Sequence, residues 1–515
     1  MLNLKVRRYG NMFANVDWVI IILYLLLVFI GWVNIYAAVY SEEHHSIFDI
    51  TQRYGKQLLW IIFALILAFI ILLFDGQFFT SFAIPIYGLV MLSLLAVLVF
   101  GVKINGATSW FQFGSVKIQP SEFAKFATVL ALSKYLSILN IKMEDIKTKL
   151  TAMLIIGIPA VLILLQNDTG STLVYAAFIF VLYREGLSGN ILLFGILAIL
   201  VFVLTLIFGP INIIIVAAFT FILFYTVIKF NLKIALISLV AFSILTYLFY
   251  NYELEPSVVY YGIGGLLSLP GIYVIAKKEM KGKVTHFIGI SIFVLTCLYI
   301  FSIDFTFNKV LKEHQRTRIT VLLGEEDKLI EQIEELKIER DIEGITSEEK
   351  QQIRDDIGAK RYSLRELRQG NGWNIKQSLI AIGSGGITGK GFLEGTQTKY
   401  DFVPEQSTDF IFCTIGEEWG FLGTFLLVSI YITLFLRILF LAEKQRSIFS
   451  RVYGYGVASI LFFHFLINIG MTIGLAPVIG IPLPFISYGG SSLWSFTILL
   501  FIFIKLDSER LLVLR

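Results

Sequence analysis

The sequence predicts an all-α polytopic membrane protein of about fourteen transmembrane helices, with one large extracytoplasmic loop that contains a helical hairpin. Three observations predict it. Hydrophobic residues are 57% of the 515 and charged residues only 16%, against about 25% charged in an ordinary soluble domain. Apolar runs of membrane-spanning length recur along the chain, since a helix rising about 1.5 Å per residue needs about 20 residues to cross about 30 Å of hydrocarbon. One stretch, 304–408, is instead long and polar. This balance excludes a soluble enzyme, a disordered scaffold and a disulfide-rich secreted domain. A net charge of +4 gives no sign of a nucleic-acid partner. Cys297 and Cys413 lie in apolar runs and read as small core hydrophobes.

The expected spans lie near 18–40, 57–75, 79–101, 121–139, 151–166, 171–184, 190–208 and 211–229, then 233–250, 257–276, 286–303, 409–441, 452–473 and 488–506. The first follows Lys5, Arg7 and Arg8 without a small-residue cleavage site, which reads as an uncleaved anchor. Alternate short loops are rich in lysine and arginine: Lys142, Lys147 and Lys149, then Lys277, Lys278, Lys281 and Lys283, then Lys444, Arg446 and Arg451. The positive-inside rule puts these loops and both termini in the cytoplasm, so 102–119, 167–170, 304–408 and 474–487 face outward.

Within the long outer loop, 325–369 is a charged insert. Leu329, Ile333 and Leu336 in 328–341 have helical spacing, and a second helix is expected from Thr346 or Ser347 to about Arg368. The pair reads as an exposed hairpin, either a solvated insertion or a docking surface. The glycine-rich GSGGITGKG (383–391) fails the P-loop pattern, because Ser384 stands where its first glycine belongs and Gly391 where Ser or Thr belongs. It reads either as a backbone cradle for an anion, with Lys390 adding charge, or as a re-entrant loop whose glycines serve turns.

Charges at membrane depth usually mark functional paths. Glu122 and Lys125 follow Pro120 at a helix start and share a face at i, i+3. They form either an ion pair lining a polar cavity or a dipole-favoured carboxylate beside a snorkelling lysine. Glu417 and Glu418 lie well inside an apolar run and need partners or a water-filled cleft. Asp168 and Asp409 both suit helix capping, and Trp110 suits an interfacial anchor.

Four segments then carry a resemblance. NGATSWFQFGSVKIQPSEFAKFATVLALSKYL (105–136), QNDTGSTLV (166–174), QSLIAIGSGGITGKGFLEGTQTKYDFVPEQSTDFIFCTIGEEWG (377–420) and NIGMTIGLAPVIGIPLPFISYGGSS (468–492) stand in the order of the SEDS family of RodA, FtsW and SpoVE-like proteins. The third is more similar to the RodA branch. The resemblance implies a core of about ten spans, with about four more in 187–303. The implied organisation is an N-terminal core half to 186, the extra helices, the catalytic loop 304–408 and a C-terminal core half from 409.

The resemblance also implies an activity: a peptidoglycan glycosyltransferase of the bacterial cytoplasmic membrane. Such enzymes polymerise lipid II at the outer face during elongation and work with a class B penicillin-binding protein and other elongation-complex proteins. A flippase for the same lipid is the alternative, since it too needs a polar path through an apolar body. An acceptor sugar hydroxyl needs a carboxylate base, and the departing undecaprenyl diphosphate needs cations, from Lys, Arg or a divalent ion such as magnesium or manganese. Asp327 best matches the family's essential acid. It is followed by Lys328 and the insert rather than by the usual Pro, so Glu326, Asp341, Asp355 and Asp356 stay open. Arg316 and Arg318 resemble diphosphate contacts. Trp110, Glu122, Lys125, Lys390, Gln397, Glu405, Asp409 and Ser487, in the matched motifs, are the further expected substrate contacts. Ser109 stands where the family often has a basic residue.

Overall fold

The computed structural model describes residues 15–40, 46–104, 106–114, 116–139, 141–229, 280–311, 316, 319, 325–340, 347–369, 371–400 and 402–510. Among them, nine helices are long and apolar enough to cross a membrane. The expected spans at 233–250 and 257–276 lie outside the described residues, and the other expected spans fall on helical segments. The chain is a multi-pass, mostly helical membrane protein.

It divides into two compact units, Gly189–Leu323 and the remainder. The larger unit is built around the helix Pro120–Leu136, which packs against Gly76–Phe100, Ile448–Thr472 and Gly490–Ser508. Pro120 occupies its first position, where the missing N–H costs nothing, and fixes where the helix begins. Buried residues lie all round this helix, as expected of an element enclosed by others. Its polar members are satisfied locally, since the Thr128 and Ser133 hydroxyls each donate to a carbonyl one turn back at 2.7 Å.

Residues 102–118, expected as an outer loop, form a three-stranded antiparallel meander of Val102–Ile104, Ala107–Phe113 and Val116–Ile118. Gly106 and Gly114, with φ of +88° and +61°, flank the central strand. Trp110 lies on that strand opposite Val102. The sheet is fastened to the bundle where the Thr108 amide donates to the Gln166 carbonyl at 2.9 Å. Asp168 caps the next helix, as the sequence suggests, accepting from the Ser171 amide at 2.9 Å and also from Gln119 Nε2 at 2.9 Å.

The hairpin is present as Glu325–Arg340 and Ser347–Gln369. The two helices bury Ile333 and Ile357, and Lys360 Nζ donates to Gln332 Oε1 across them at 2.7 Å. In the smaller unit, Gly189–Phe208, Pro210–Lys229 and Met280–Phe305 pack together around Ile213, Ile214, Ile215, Ala218 and Ile300. Gly209, at φ +81°, makes the turn between the first two.

Candidate functional site

The long helix Ile411–Glu443 is broken at Gly420, whose φ of 63° and ψ of −160° suit glycine alone. A break frees backbone groups that are costly to leave unpaired away from water. The glycine-rich loop pairs them. The Lys390 and Gly391 amides donate to the carbonyls of Glu417 and Glu418, both at 3.0 Å. In return the Phe421 and Leu422 amides donate to the carbonyls of Gly386 and Ile387, at 2.9 and 3.0 Å. Close approach needs glycine here: a Cβ on Gly385 would sit 2.0 Å from the Gly416 oxygen, and one on Gly389 2.1 Å from the Glu418 oxygen. This corrects the anion-cradle reading, because these two loop amides are already spent on the broken helix.

The same break explains Glu417. Its carboxylate is fully buried and receives the Lys390 ammonium at 2.6 Å and the amides of Gln397 and Thr398, each at 2.9 Å. Lys390 also bonds the Thr396 hydroxyl at 2.7 Å and keeps partial exposure. Gln397 therefore serves through its backbone, with its side chain half-buried. Glu418 is buried, and its Oε2 has no hydrogen-bond partner among the described residues.

A second charged centre lies between Pro120–Leu136, Ile448–Thr472 and Gly490–Ser508. Lys125 Nζ is 2.8 Å from Glu122 Oε2, and the two side chains are 1% and 4% exposed. Neither snorkels, so the pair is an enclosed one; protein rather than an open cavity surrounds it. The same ammonium is 2.9 Å from His464 Nε2 and 5.1 Å from the centre of the Phe496 ring. Ser495 Oγ fixes the helix beneath by donating to the Glu122 carbonyl at 2.6 Å.

The C-terminal motif folds over this centre. Asn468 Nδ2 donates to the Ile481 and Asp409 carbonyls, both at 2.8 Å. Ser487 was expected to touch substrate, but its buried hydroxyl accepts from the Leu483 amide at 2.8 Å and donates to the Thr408 carbonyl at 2.7 Å. Ser487 thus stitches two motifs together. Asp409 does not cap the following helix: that helix begins at Ile411 behind Phe410 and has no side-chain cap. Asp409 stays half-buried beside Gly480. Glu405, exposed and at φ 53°, accepts from Thr408 Oγ1 at 2.9 Å. Arg53 Nη1 is 3.9 Å from Glu405 and donates to Ser407 Oγ at 2.7 Å.

Asp327 lies in the first turn of Glu325–Arg340. Asp355 and Asp356 are exposed on the second hairpin helix. Arg318 and Asp341 lie outside the described residues. Arg316 belongs to the smaller unit, with its guanidinium 5.4 Å from the centre of the Phe307 ring. Among the described residues no three His, Cys, Asp or Glu side chains gather into a metal-binding group. Sequence reasoning missed His464, Asn468 and Arg53. The one signal for His464 was that a buried ammonium with three N–H groups needs more acceptors than one carboxylate offers.

Comparisons with known proteins complete the picture. Residues 17–217 and 361–511 match the family of cell cycle proteins comprising FtsW, RodA and SpoVE. The chain is 30% identical over 499 residues to the peptidoglycan glycosyltransferase RodA of Treponema pallidum, covering 97% of this chain and 99% of that one. It is 26% identical over 475 residues to the peptidoglycan glycosyltransferase MrdB of Escherichia coli, covering 92% and 88%. Among solved structures, a chain of a peptidoglycan synthase complex superposes with a TM-score of 0.57 at 22% identity, over 96% of this chain and 99% of that chain. The rod shape determining protein RodA of Thermus thermophilus superposes with a TM-score of 0.51 at 21% identity, over 96% and 98%. At these identities the structural likeness speaks for the fold.

Proposed function

From the premise that this chain belongs to the FtsW, RodA and SpoVE family, we propose that it is a peptidoglycan glycosyltransferase of the RodA kind. It polymerises lipid II at the outer face of the bacterial cytoplasmic membrane, with both termini in the cytoplasm. The observation that carries this reading is the 30% identity, over nearly the whole of both chains, with a protein named for that activity.

In the reaction, the acceptor hydroxyl oxygen attacks the anomeric carbon of the donor sugar. The bond from that carbon to the diphosphate oxygen breaks, and the hydroxyl proton passes to a carboxylate. Asp327 is that base; Glu326, Asp341, Asp355 and Asp356 are the other acids in reach along the chain. Arg316 and Arg318 take the developing charge on the diphosphate, because a planar guanidinium meets two phosphate oxygens at once. Lys390, which bonds Glu417 Oε1 and the Thr396 hydroxyl, retains a third N–H for a substrate oxygen. Trp110, Glu405 and Asp409 contact substrate from the outer segments, and the enclosed Glu122–Lys125 pair supplies fixed charge to the bundle. A class B penicillin-binding protein crosslinks the product.

The test is the purified full chain with lipid II in detergent, with the products separated by size. Glycan strands are the expected result. A flippase makes none where there is no bilayer to cross, so their absence, with a crosslinking partner present as well as without one, overturns the reading.

A further inference from the structure

We infer that His464 is a positioning residue for this transferase: it holds the Lys125 ammonium against Glu122 and ties it to the backbone of the 474–489 loop. The inference rests on the reading above and names a residue that neither the motifs nor the chemistry had assigned.

The donor inventory forces the arrangement. An ammonium has three N–H groups and no lone pair. Glu122 Oε2 takes one N–H of Lys125 at 2.8 Å. The contact with His464 Nε2, at 2.9 Å, then requires that nitrogen to accept. An imidazole with an accepting Nε2 carries its proton on Nδ1. That nitrogen lies 3.2 Å from the Pro482 carbonyl oxygen, an acceptor only, so the second contact agrees with the first. Each neighbour thus selects one tautomer, and the ring is fixed at both ends.

The enclosure adds to this. Lys125 and His464 are 1% and 0% exposed, so both are shut off from bulk solvent. Phe496 closes the remaining side. Its ring is 4.9 Å from the imidazole in an edge-to-face arrangement and 5.1 Å from Lys125 Nζ. One turn further along the same helix, Asn468 holds the adjacent carbonyl, that of Ile481. His464 and Asn468 therefore grip consecutive backbone oxygens of one loop. That loop is pinned again where Tyr431 donates to the Pro484 carbonyl and Ser487 to that of Thr408. His464 is the hydrogen-bonded link from this loop to Lys125, beside the ring contact of Phe485 with Phe496 at 6.0 Å.

The two ring nitrogens can be tested separately. Glutamine at 464 places an acceptor near the Nε2 position and loses the bond to Pro482. Asparagine places a donor near the Nδ1 position and cannot reach Lys125. Full-length wild type, His464→Gln and His464→Asn are purified, and kcat and KM for lipid II polymerisation and the thermal midpoint are measured for each. The expected result is that His464→Gln retains most of the wild-type kcat, because the Pro482 bond serves to select the ring's tautomer and an amide oxygen accepts from Lys125 without it. His464→Asn loses on the order of 100-fold in kcat, the scale of a misplacement of about 1 Å, with KM nearly unchanged. Equal activity of the two variants, or a better Asn than Gln, overturns the inference. So does a His464→Gln protein that fails to fold, since the ring would then be holding the core rather than an ammonium. Wild type that makes no glycan strands overturns the transferase reading instead, and the two failures are told apart by that control.

Discussion

The Lys390 ammonium lies 2.6 Å from Oε1 of Glu417, and the carboxylate it meets is fully buried beside the break at Gly420. Removing one member of a buried pair leaves the other charge uncompensated, at about 3–5 kcal/mol. Lys390→Met strands Glu417 with only neutral donors, the Gln397 and Thr398 amides and nearby hydroxyls. It should lower stability by up to about that amount, since Lys390 is itself partly exposed and the two amides remain. Glu417→Gln in the Lys390→Met background removes the stranded charge and should recover part of the loss. Thermal midpoints of the detergent-purified proteins check this; an unchanged midpoint for Lys390→Met means the pair does not clamp the break.

Glycines in the chain divide sharply by what surrounds them. At Gly420, φ is +63° and an added Cβ would meet the Gly389 amide nitrogen at 2.3 Å. At Gly358, inside the second hairpin helix, an added Cβ meets nothing within 4 Å. Gly420→Ala should therefore abolish or severely reduce the yield of folded protein. Gly358→Ala should stabilise the hairpin by up to about 1 kcal/mol, the helix-propensity difference between the two residues. Expression yield and thermal midpoint measure both, and a well-folded Gly420→Ala protein would contradict the account of the break.

The helices were legible because burial in a bilayer and burial in a bundle both demand long apolar runs, and the hairpin because Leu329, Ile333 and Leu336 keep helical spacing. The 102–118 sheet was not legible. Its outer strands have three residues each, too few for alternation to stand out, and pairing between strands leaves no local mark. At the site, the glycine loop was located, with its duty left open between an anion cradle and a re-entrant loop of turns. That duty is set by a helix break at Gly420, about thirty residues downstream, which no motif announces. Ser487 was an expected substrate contact because it lies in a matched motif; only the fold reveals that Leu483 and Thr408 engage its hydroxyl.

Ion pairs gather near the segments expected in the cytoplasm: Asp17 with Arg437, Arg184 with Glu443, Glu185 with Arg451 and Lys505 with Glu509. With Cys413 buried and Cys297 half-buried, the native thiols give little background. In intact cells a membrane-impermeant maleimide should label Ile338→Cys, on the exposed face of the hairpin, and leave Arg446→Cys unlabelled until the membrane is opened. The reverse pattern would place the hairpin inside the cell and remove its acids from the outer face.

Asp327 offers the sharpest separation of stability from chemistry. A carboxylate in the first turn of a helix is favoured by the dipole by about 0.3–1 kcal/mol, and asparagine keeps the size and polarity of the side chain. Asp327→Asn should therefore leave the thermal midpoint almost unchanged. As a general base, however, asparagine cannot take the acceptor proton, and polymerisation should fall by about 100-fold to 10,000-fold. The same assay on Glu326→Gln, Asp341→Asn, Asp355→Asn and Asp356→Asn should show no comparable loss. Asp355 and Asp356 are solvated side chains on the second hairpin helix, and Gln351 Nε2 already bonds Asp355 at 3.2 Å. If the loss follows one of these variants and Asp327→Asn keeps its turnover, the base has moved with the insert. If it follows none, proton removal does not depend on the hairpin at all, and the buried carboxylates at Glu122, Glu417 and Glu418 become the groups to substitute.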